Sequence, residues 1–164
     1  MRIAITDANV FIDLFEISWI EHLFHLPLEI VTTLEVFNEL SATQQQSLSQ
    51  WQLSGQLRIV EILLSEHQKV LQIGNSHRLS FTDRTVLYIA LRDKLMVLTG
   101  DNIIRKSAEK SGLKVHGLLW IFDSLVDNQN VTPIEAAWDL RALLRINDWL
   151  PIDECLKRLG KWEP

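Results

Sequence analysis

Hydrophobic and polar positions along the chain follow two patterns, one typical of buried strands and one typical of amphipathic helices. Short, mainly apolar runs bounded by polar residues, which suit buried strands, occupy residues 3–6, 30–31 and 96–98. Residues 57–62 alternate apolar and polar positions, and residues 115–116 have the composition of a last short strand. The pattern therefore predicts five short strands.

The intervals between these runs show helical spacing of apolar residues. Residues 10–26 are predicted to form one amphipathic helix that ends at Pro27. Thr32 with Glu35 gives the capping signature of a helix that carries Glu39 about two turns in. Further helices are predicted over residues 43–52, 66–73, 80–91, 102–110, 118–126, 132–145 and 152–159. Strands alternating with helices predict an α/β fold, a three-layer α/β/α sandwich with a mainly parallel central sheet and extra C-terminal helices.

The composition agrees with one folded domain. The chain has 164 residues, of which 47% are hydrophobic and 23% charged, and this is typical of globular rather than disordered proteins. Its single cysteine, Cys155, excludes an internal disulfide, and no zinc-site spacing of cysteines and histidines occurs, so we expect a cytoplasmic protein. Asp7 and Asp13 interrupt the N-terminal apolar stretch, and no segment approaches ~20 apolar residues, so neither export nor a membrane span is expected.

Two acids follow predicted strands, and two more lie on predicted helices near strand ends. Asp7 comes directly after the first apolar run, and Asp101 follows the fourth in the same order of apolar residues, hydroxyl residue and acid. Glu39 and Asp83 are the helical pair. Because the carboxyl ends of parallel strands meet at one edge of a sheet, we expect these four acids to converge there. Each acid alone also has a structural explanation, since Asp commonly caps helices and Asp83 forms a capping pair with Ser80.

The segments around these acids resemble the motifs of the PIN-domain nuclease family, including the VapC-like toxin ribonucleases of toxin–antitoxin pairs. The matching segments are 6–12 (TDANVFI), 36–40 (VFNEL), 79–83 (LSFTD) and 98–101 (LTGD). The resemblance covers roughly residues 1–126, which predicts a PIN-like nuclease domain there and a C-terminal helical extension over residues 127–164, packed on the same domain. Two features depart from the family: Gly100 stands where a larger polar residue is expected, and the tail from about Asn130 exceeds the minimal family domain.

The resemblance implies catalytic and metal-binding roles for the four acids Asp7, Glu39, Asp83 and Asp101. Carboxylates held close together repel one another, and Mg²⁺ or Mn²⁺ removes that conflict because these ions prefer hard oxygen ligands. The implied reaction is metal-dependent hydrolysis of an RNA phosphodiester bond. Asn9 and Thr99 are expected to hydrogen-bond the ligands.

The resemblance also implies partners. RNA is the implied substrate, and a chain that acts as a toxin would have an antitoxin protein that covers its cleft. A homodimer is expected because symmetric pairing is common. The net charge is −5, yet residues 83–114 carry seven basic side chains against four acids. We expect the basic residues around Arg84, Arg105 and Lys106 to collect the phosphate backbone.

Other functions stay open at this point. The main alternative is a non-catalytic PIN-fold module that binds RNA or a protein, with the acids serving only as caps. A haloacid-dehalogenase-type phosphatase needs a second Asp two residues after the first, where Asn9 stands. A phosphoryl-receiving regulatory domain needs an acidic pair near the first strand, where this sequence has only Asp7.

The C-terminal extension is rich in tryptophan. Trp138, Trp149 and Trp162 lie on or beside its predicted helices. Large aromatic side chains more often belong to a core, although a helical tail that carries them can also dock a partner protein. We therefore expect the core for these three side chains, with docking of a partner protein left open as the alternative.

Overall fold

A parallel sheet runs through the protein, whose computed structural model describes residues 2–74 and 77–164. Five strands in these ranges pair in the order β3-β2-β1-β4-β5, and every pairing is parallel. The strands are β1 (Arg2–Thr6), β2 (Leu28–Thr33), β3 (Leu57–Val60), β4 (Met96–Leu98) and β5 (Val115–His116). β1 therefore lies in the middle, between β2 and β4, and the predicted parallel sheet is confirmed.

Helices connect the strands and flank the sheet. In the described ranges they are α1 (Ala8–Glu16), α2 (Ile20–His25), α3 (Leu34–Glu39), α4 (Ala42–Leu53), α5 (His67–Leu71), α6 (Phe81–Asp93), α7 (Asn102–Lys110), α8 (Leu118–Asp127), α9 (Pro133–Leu144) and α10 (Ile152–Trp162). A short 3₁₀ turn, Leu64–Glu66, precedes α5. α6 packs on β1 and β2, whereas α8 packs on β5, α2 and α9. This arrangement confirms the predicted α/β/α sandwich.

The central strands form the core because they are covered on both faces. Ala4 and Ile5 of β1, and Val97 and Leu98 of β4, are completely buried. Parallel strands covered in this way carry continuous apolar runs, which is the pattern that predicted them. Among the helices that the structure describes, none combines the length and the apolar character needed to cross a membrane.

The prediction of a single helix over residues 10–26 is wrong. The chain turns between α1 and α2, where Ser18 has a φ of 59°, in the left-handed region. Ile17 and Trp19, on either side of Ser18, are buried, so the apolar spacing continues through the turn. No glycine or proline marks the break, and for this reason periodicity alone joined the two helices.

The helix that carries Glu39 begins later than predicted. Thr33 is the N-cap of α3, and its hydroxyl accepts a hydrogen bond from the Val36 amide at 3.3 Å. The predicted cap, Thr32, instead donates its hydroxyl to the carbonyl of Thr6 at 3.1 Å, inside the sheet. α3 has only 6 residues, so Glu39 is its last residue.

α9 and α10 pack on the core. Their buried side chains are Ala136, Ala137, Leu140 and Leu143 on α9, and Cys155, Leu159 and Trp162 on α10. The indole nitrogen of Trp19 donates to Asp139 Oδ2 at 2.6 Å, which joins α9 to the start of α2. Trp162 therefore belongs to the core, as expected. The same expectation is wrong for Trp138 and Trp149, which are 74% and 90% exposed.

Candidate active site

The candidate site lies where β1 and β4 end side by side. Thr6 pairs with Leu98 in the sheet, so the residues that follow these two strands leave the sheet together. The chain proceeds from β1 to β2 on one side, whereas β4 lies on the other side of β1, so the strand order reverses here. In open parallel sheets, ligands bind in the crevice at this position. Asp7 follows β1, and Thr99 and Asp101 follow β4.

Asp7 is a buried carboxylate, with only 4% of its surface exposed. Its Oδ1 accepts a hydrogen bond from the Val10 amide at 3.1 Å, which caps α1, and its Oδ2 accepts one from the Thr99 hydroxyl. The pKa of Asp7 is raised from 3.8 to about 6, chiefly because burial disfavours the charged form. The charges of Asp101 and Asp83 also raise this pKa, whereas the two hydrogen bonds lower it. Two of the predicted acids therefore lie close enough to Asp7 to oppose its ionisation.

Thr99 connects Asp7 to Asp101. Its fully buried hydroxyl donates to Asp7 and accepts a hydrogen bond from the Asp101 amide at 3.0 Å. Asp101 in turn caps α7, because its Oδ1 accepts hydrogen bonds from the amides of Ile103 and Ile104 at 2.7 and 2.9 Å. Thr99 thus makes the predicted hydrogen bond to Asp7, while its role beside a metal ligand stays a prediction.

Asp83 lies in the first turn of α6. Its Oδ2 accepts a hydrogen bond from the Ser80 amide at 2.9 Å, and its own amide donates to the Ser80 hydroxyl at 3.0 Å. This confirms the predicted capping pair. The charge of Asp83 also raises the pKa of Asp7. The Asp83 side chain therefore caps α6 and also acts on the acid that follows β1.

The buried polar side chains of the described ranges gather at the carboxyl edge of the sheet. They are Thr6, Asp7, Thr32, Thr33, Thr85 and Thr99. Thr33, at the end of β2, and Thr85, on α6, share a hydrogen bond of 2.9 Å. A buried hydroxyl is costly unless it is paired. These pairs hold the ends of the central strands and the start of α6 in fixed positions around Asp7.

Glu39 has no hydrogen bond to the three aspartates among the residues that the structure describes. It is exposed at the end of α3. Across residues 2–74 and 77–164, no side-chain hydrogen bond or ion pair joins it to another residue, and it is absent from the charges that act on Asp7. The described contacts join Asp7 to Asp101 through Thr99, and the charge of Asp83 acts on Asp7. The role of Glu39 stays a prediction.

An open cavity of about 580 Å³ adjoins Asp101. α1 lines it with Asn9 and Asp13, and the loop between α9 and α10 lines it with Asn147 and Trp149. Asn147 Nδ2 donates to Asp13 Oδ2 at 2.8 Å, which ties the two walls together. Burial raises the pKa of Asp13, and the hydrogen bond from Asn147 opposes that rise. Sequence reasoning missed this pair because nothing in the pattern connects residues so far apart in the chain.

A second open cavity, of about 630 Å³, shares Arg78 and Ile103 with the first. Its other lining residues include Lys106 and Lys110 of α7. Both lysines are exposed, which agrees with the expectation that Lys106 can meet phosphates. A basic cavity therefore lies directly beside the acidic one.

The other two expected phosphate contacts are already engaged within the protein. Arg84 donates to backbone carbonyls at the end of α5, including that of Leu71 at 3.3 Å. Arg105 donates to the carbonyl of Thr99 at 3.4 Å and pairs with Glu109 at 3.6 Å. Both side chains hold the backbone near the site. These contacts within the protein reduce the support for a role of Arg84 and Arg105 in binding phosphate.

The donor chemistry of the site suits a hard divalent cation. Asp7, Asp83 and Asp101 offer carboxylate oxygens, and a cation relieves the repulsion that raises the pKa of Asp7. In the described ranges, no three histidine, cysteine, aspartate or glutamate side chains lie close enough together to hold a metal ion. Mg²⁺ often binds through one or two carboxylates and keeps several water ligands. The described residues therefore form no cage of protein ligands, and the metal-binding roles of Asp7, Asp83 and Asp101 stay predictions that a hydrated cation would satisfy.

Comparison with known proteins agrees with this geometry. Residues 3–163 match the protein family described as PIN domain, a nuclease-type fold. The match includes the C-terminal helices as well as the sheet. No curated protein matches the chain. Since the matched range spans nearly the whole sequence, the chain belongs to the PIN-domain family.

Proposed function

We propose that this PIN domain is a metal-dependent ribonuclease that hydrolyses RNA phosphodiester bonds. The observation that carries the proposal is the buried Asp7, whose pKa is raised to about 6 beside Asp101 and Asp83. Carboxylates with strongly perturbed pKa values cluster at functional sites, because folding alone gains nothing from burying a charge among like charges. This one lies at the crevice where open parallel sheets bind ligands.

The residues around the acids keep them oriented. The hydrogen bonds from the Val10 amide and the Thr99 hydroxyl lower the pKa of Asp7 against the larger effect of burial, and the amides of Ile103 and Ile104 hold the side chain of Asp101 in place. A divalent cation, when bound, supplies positive charge that polarises the scissile phosphate and acidifies the attacking water. Asp7 and Asp101 are the proposed ligands, with Asp83 beside them. Glu39 stays in the proposal on the family pattern, as a ligand or as a holder of water.

The basic cavity gives the negatively charged protein a place for RNA phosphates. Lys106 and Lys110 line it, and Arg78 lies on the wall that it shares with the acidic cavity. Neutralising phosphates with lysine and arginine releases counterions and supplies most of the sequence-independent affinity for nucleic acid. We therefore propose that the RNA backbone reaches the acids across α7.

One observation favours the alternative, a non-catalytic module. Asp7, Asp83 and Asp101 each accept hydrogen bonds from backbone amides at a helix start, so capping accounts for part of their placement. Capping does not account for the burial of Asp7 or for its repulsion by the other two. Binding of a cation separates the two functions, since caps alone would bind none.

The test is incubation of labelled single-stranded RNA with the protein, with and without Mn²⁺. We expect cleavage only with the metal, and none with Asp7→Asn or Asp101→Asn. Asp153→Asn is the matched control, because Asp153 also lies in the first turn of a helix but is exposed on α10. Calorimetric titration with Mn²⁺ should give heat that Asp7→Asn removes. Absence of any Mn²⁺ heat that Asp7→Asn removes, together with no cleavage, would favour the non-catalytic module.

A toxin role, an antitoxin partner and a homodimer extend the proposal and rest on the resemblance to VapC-like toxins. The chain exposes large apolar side chains on which such partners could dock, among them Leu53 and Leu64, at 89% and 85% exposure. The mass of the purified protein, measured by light scattering during gel filtration, tests the dimer. Rescue of growth by co-expression of a neighbouring gene, with Asp7→Asn as the harmless control, tests the toxin role.

A further inference from the structure

Trp149 is the most exposed large side chain at the candidate site. Its indole is 90% exposed, yet it lines the same cavity as Asp101 and Asp13. A tryptophan placed in water gains nothing for the stability of the fold. Exposed apolar surface that lines a cleft marks a candidate interaction site.

The loop that carries Trp149 is tied to the helix that carries Asp7. Asn147 Oδ1 accepts a hydrogen bond from the Trp149 amide at 2.9 Å, while its Nδ2 donates to Asp13 on α1. Asp7 is the N-cap of that same helix. One amide side chain therefore ties the backbone of Trp149 to the helix that begins at Asp7.

The charges around the cavity indicate what the indole meets. On the far side of Arg78 and Ile103 lies the cavity lined by Lys106 and Lys110, which suits phosphates. A strand whose phosphates follow that cavity toward Asp101 enters the cavity that Trp149 also lines. A flat aromatic surface at the end of a basic path is how proteins hold single strands, because every base has a face to stack.

We propose that Trp149 is a stacking platform for a base of single-stranded RNA, next to the phosphate that is cleaved. This inference rests on the proposed ribonuclease function and names the form of its substrate. Trp149 acts as a positioning residue, because it holds the nucleotide and takes no part in the chemistry. A base in a duplex is already stacked and paired, so the platform selects unpaired RNA.

The test compares Trp149→Ala with Trp149→Phe and with a matched control, Trp138→Ala. Trp138 is also exposed, on α9, but does not line the cavity. Binding of a fluorescein-labelled decauridylate is measured by anisotropy in EDTA, and again with Mn²⁺ in proteins that also carry Asp7→Asn, so that the RNA stays intact. From the usual contribution of base–aromatic stacking, we expect Trp149→Ala to weaken binding roughly 5- to 150-fold. Trp149→Phe should restore most of the affinity, and Trp138→Ala should change it little.

A second measurement separates stacking from general damage. A set of oligonucleotides is prepared, each with one abasic site at a different position. The affinity of each is measured for the protein that retains Trp149 and for Trp149→Ala. At one position, we expect the abasic site to weaken binding to the first protein and to leave binding to the second unchanged. Binding of duplex RNA should not depend on Trp149. If every abasic site lowers the affinity of both proteins equally, the proposal that Trp149 is a stacking platform is wrong.

The remaining outcomes are distinguishable. If RNA binding depends on Trp149 but no cleavage occurs with Mn²⁺, the platform stands and the nuclease proposal falls. If cleavage occurs and Trp149→Ala changes neither affinity nor KM, the platform falls and the nuclease proposal stands. A change of oligomeric state in Trp149→Ala, with RNA affinity intact, overturns the platform and assigns the indole to a protein interface. If no protein binds single-stranded RNA in either condition, both proposals fall.

Discussion

At the scale of single residues, the strongest constraint falls on Asp7, which caps α1 and carries a buried charge. A cap on the surface can be replaced by several polar residues with little consequence. At Asp7, the charge is taken out of water and placed near those of Asp83 and Asp101, so the ionised form costs free energy that a neutral residue would not. The site therefore opposes the stability of the fold when no cation is bound.

This cost predicts that Asp7→Asn stabilises the metal-free protein at pH 7. The folded protein holds the Asp7 proton more tightly than the unfolded chain does, since the pKa is about 6 instead of 3.8. Stability from this group is therefore present below pH 3.8 and is lost as the pH rises to about 6. At pH 7 the loss is at most about 3 kcal/mol, which the asparagine avoids.

Urea unfolding in EDTA at several pH values from 3.5 to 7 measures this difference. We expect the free energy of unfolding of Asp7→Asn, relative to that of the wild-type protein, to increase as the pH rises across that range. Asp153→Asn, an exposed acid on α10, should behave like wild type. A destabilised Asp7→Asn at pH 7 would mean that the cap, and not the charge, dominates at this position.

The sequence identifies some of these residues and misses others for a physical reason. Asp7 and Asp101 follow apolar runs, so their place at the strand ends can be read from the pattern, and Thr99 belongs to the same pattern. Asn147 and Asp13 meet only because α9 and the loop after it fold back on α1. No local pattern encodes such a contact, and a lone Asn in a polar loop gives no signal.

At the scale of elements, the loop between α9 and α10 depends on one side chain. Asn147 bonds both Asp13 and the amide of Trp149. Asn147→Ala removes both contacts and leaves Asp13 partly buried without its amide donor, which is a costly state for a carboxylate. We therefore predict that this substitution releases the loop while α9 and α10 stay folded.

Limited proteolysis checks this prediction, because Arg145 at the end of α9 is exposed and gives trypsin a site beside the loop. Cleavage after Arg145 should be several-fold faster in Asn147→Ala. Asn128→Ala is the control, since Asn128 bonds the end of α8 and lies away from the loop. Unchanged cleavage after Arg145 would show that other contacts hold the loop.

Element boundaries were predicted well where a cap or a strand end is chemically marked. The capping box of Asp83 with Ser80 is where the sequence placed it. The turn at Ser18 was missed because a residue with positive φ need not be glycine. The cap at Thr33 was misplaced because Thr32 and Thr33 are both suitable, and only the sheet decides that Thr32 bonds Thr6.

At the scale of the whole molecule, the C-terminal helices are part of the fold that presents the site. The family match runs to residue 163, and α9 and α10 bury seven side chains in the described core. The sequence predicted the α/β/α architecture because strands alternate with helices and the central strands are continuous apolar runs. The share of the core that α9 and α10 supply could not be predicted from the sequence, since this share depends on contacts between distant elements.

These contacts predict that residues 1–126 do not fold stably without residues 127–164. Removal of the C-terminal helices exposes the face of α8 that packs on α9, and it leaves the buried indole nitrogen of Trp19 without Asp139. Circular dichroism during urea unfolding checks this. We expect the shortened chain to lack a cooperative transition. A cooperative transition with native helix content would establish residues 1–126 as an independent domain.

Cys155 is buried on α10, so its chemical labelling reports how often this helix detaches from the core. The sequence contains one cysteine, and burial raises the pKa of its thiol. A thiol-reactive reagent therefore does not label Cys155 while α10 stays docked. The labelling rate then follows the fraction of molecules in which α10 has detached. If Mn²⁺ or an oligonucleotide slows labelling, the change in rate measures how much binding at the strand ends stabilises the docked position of α10.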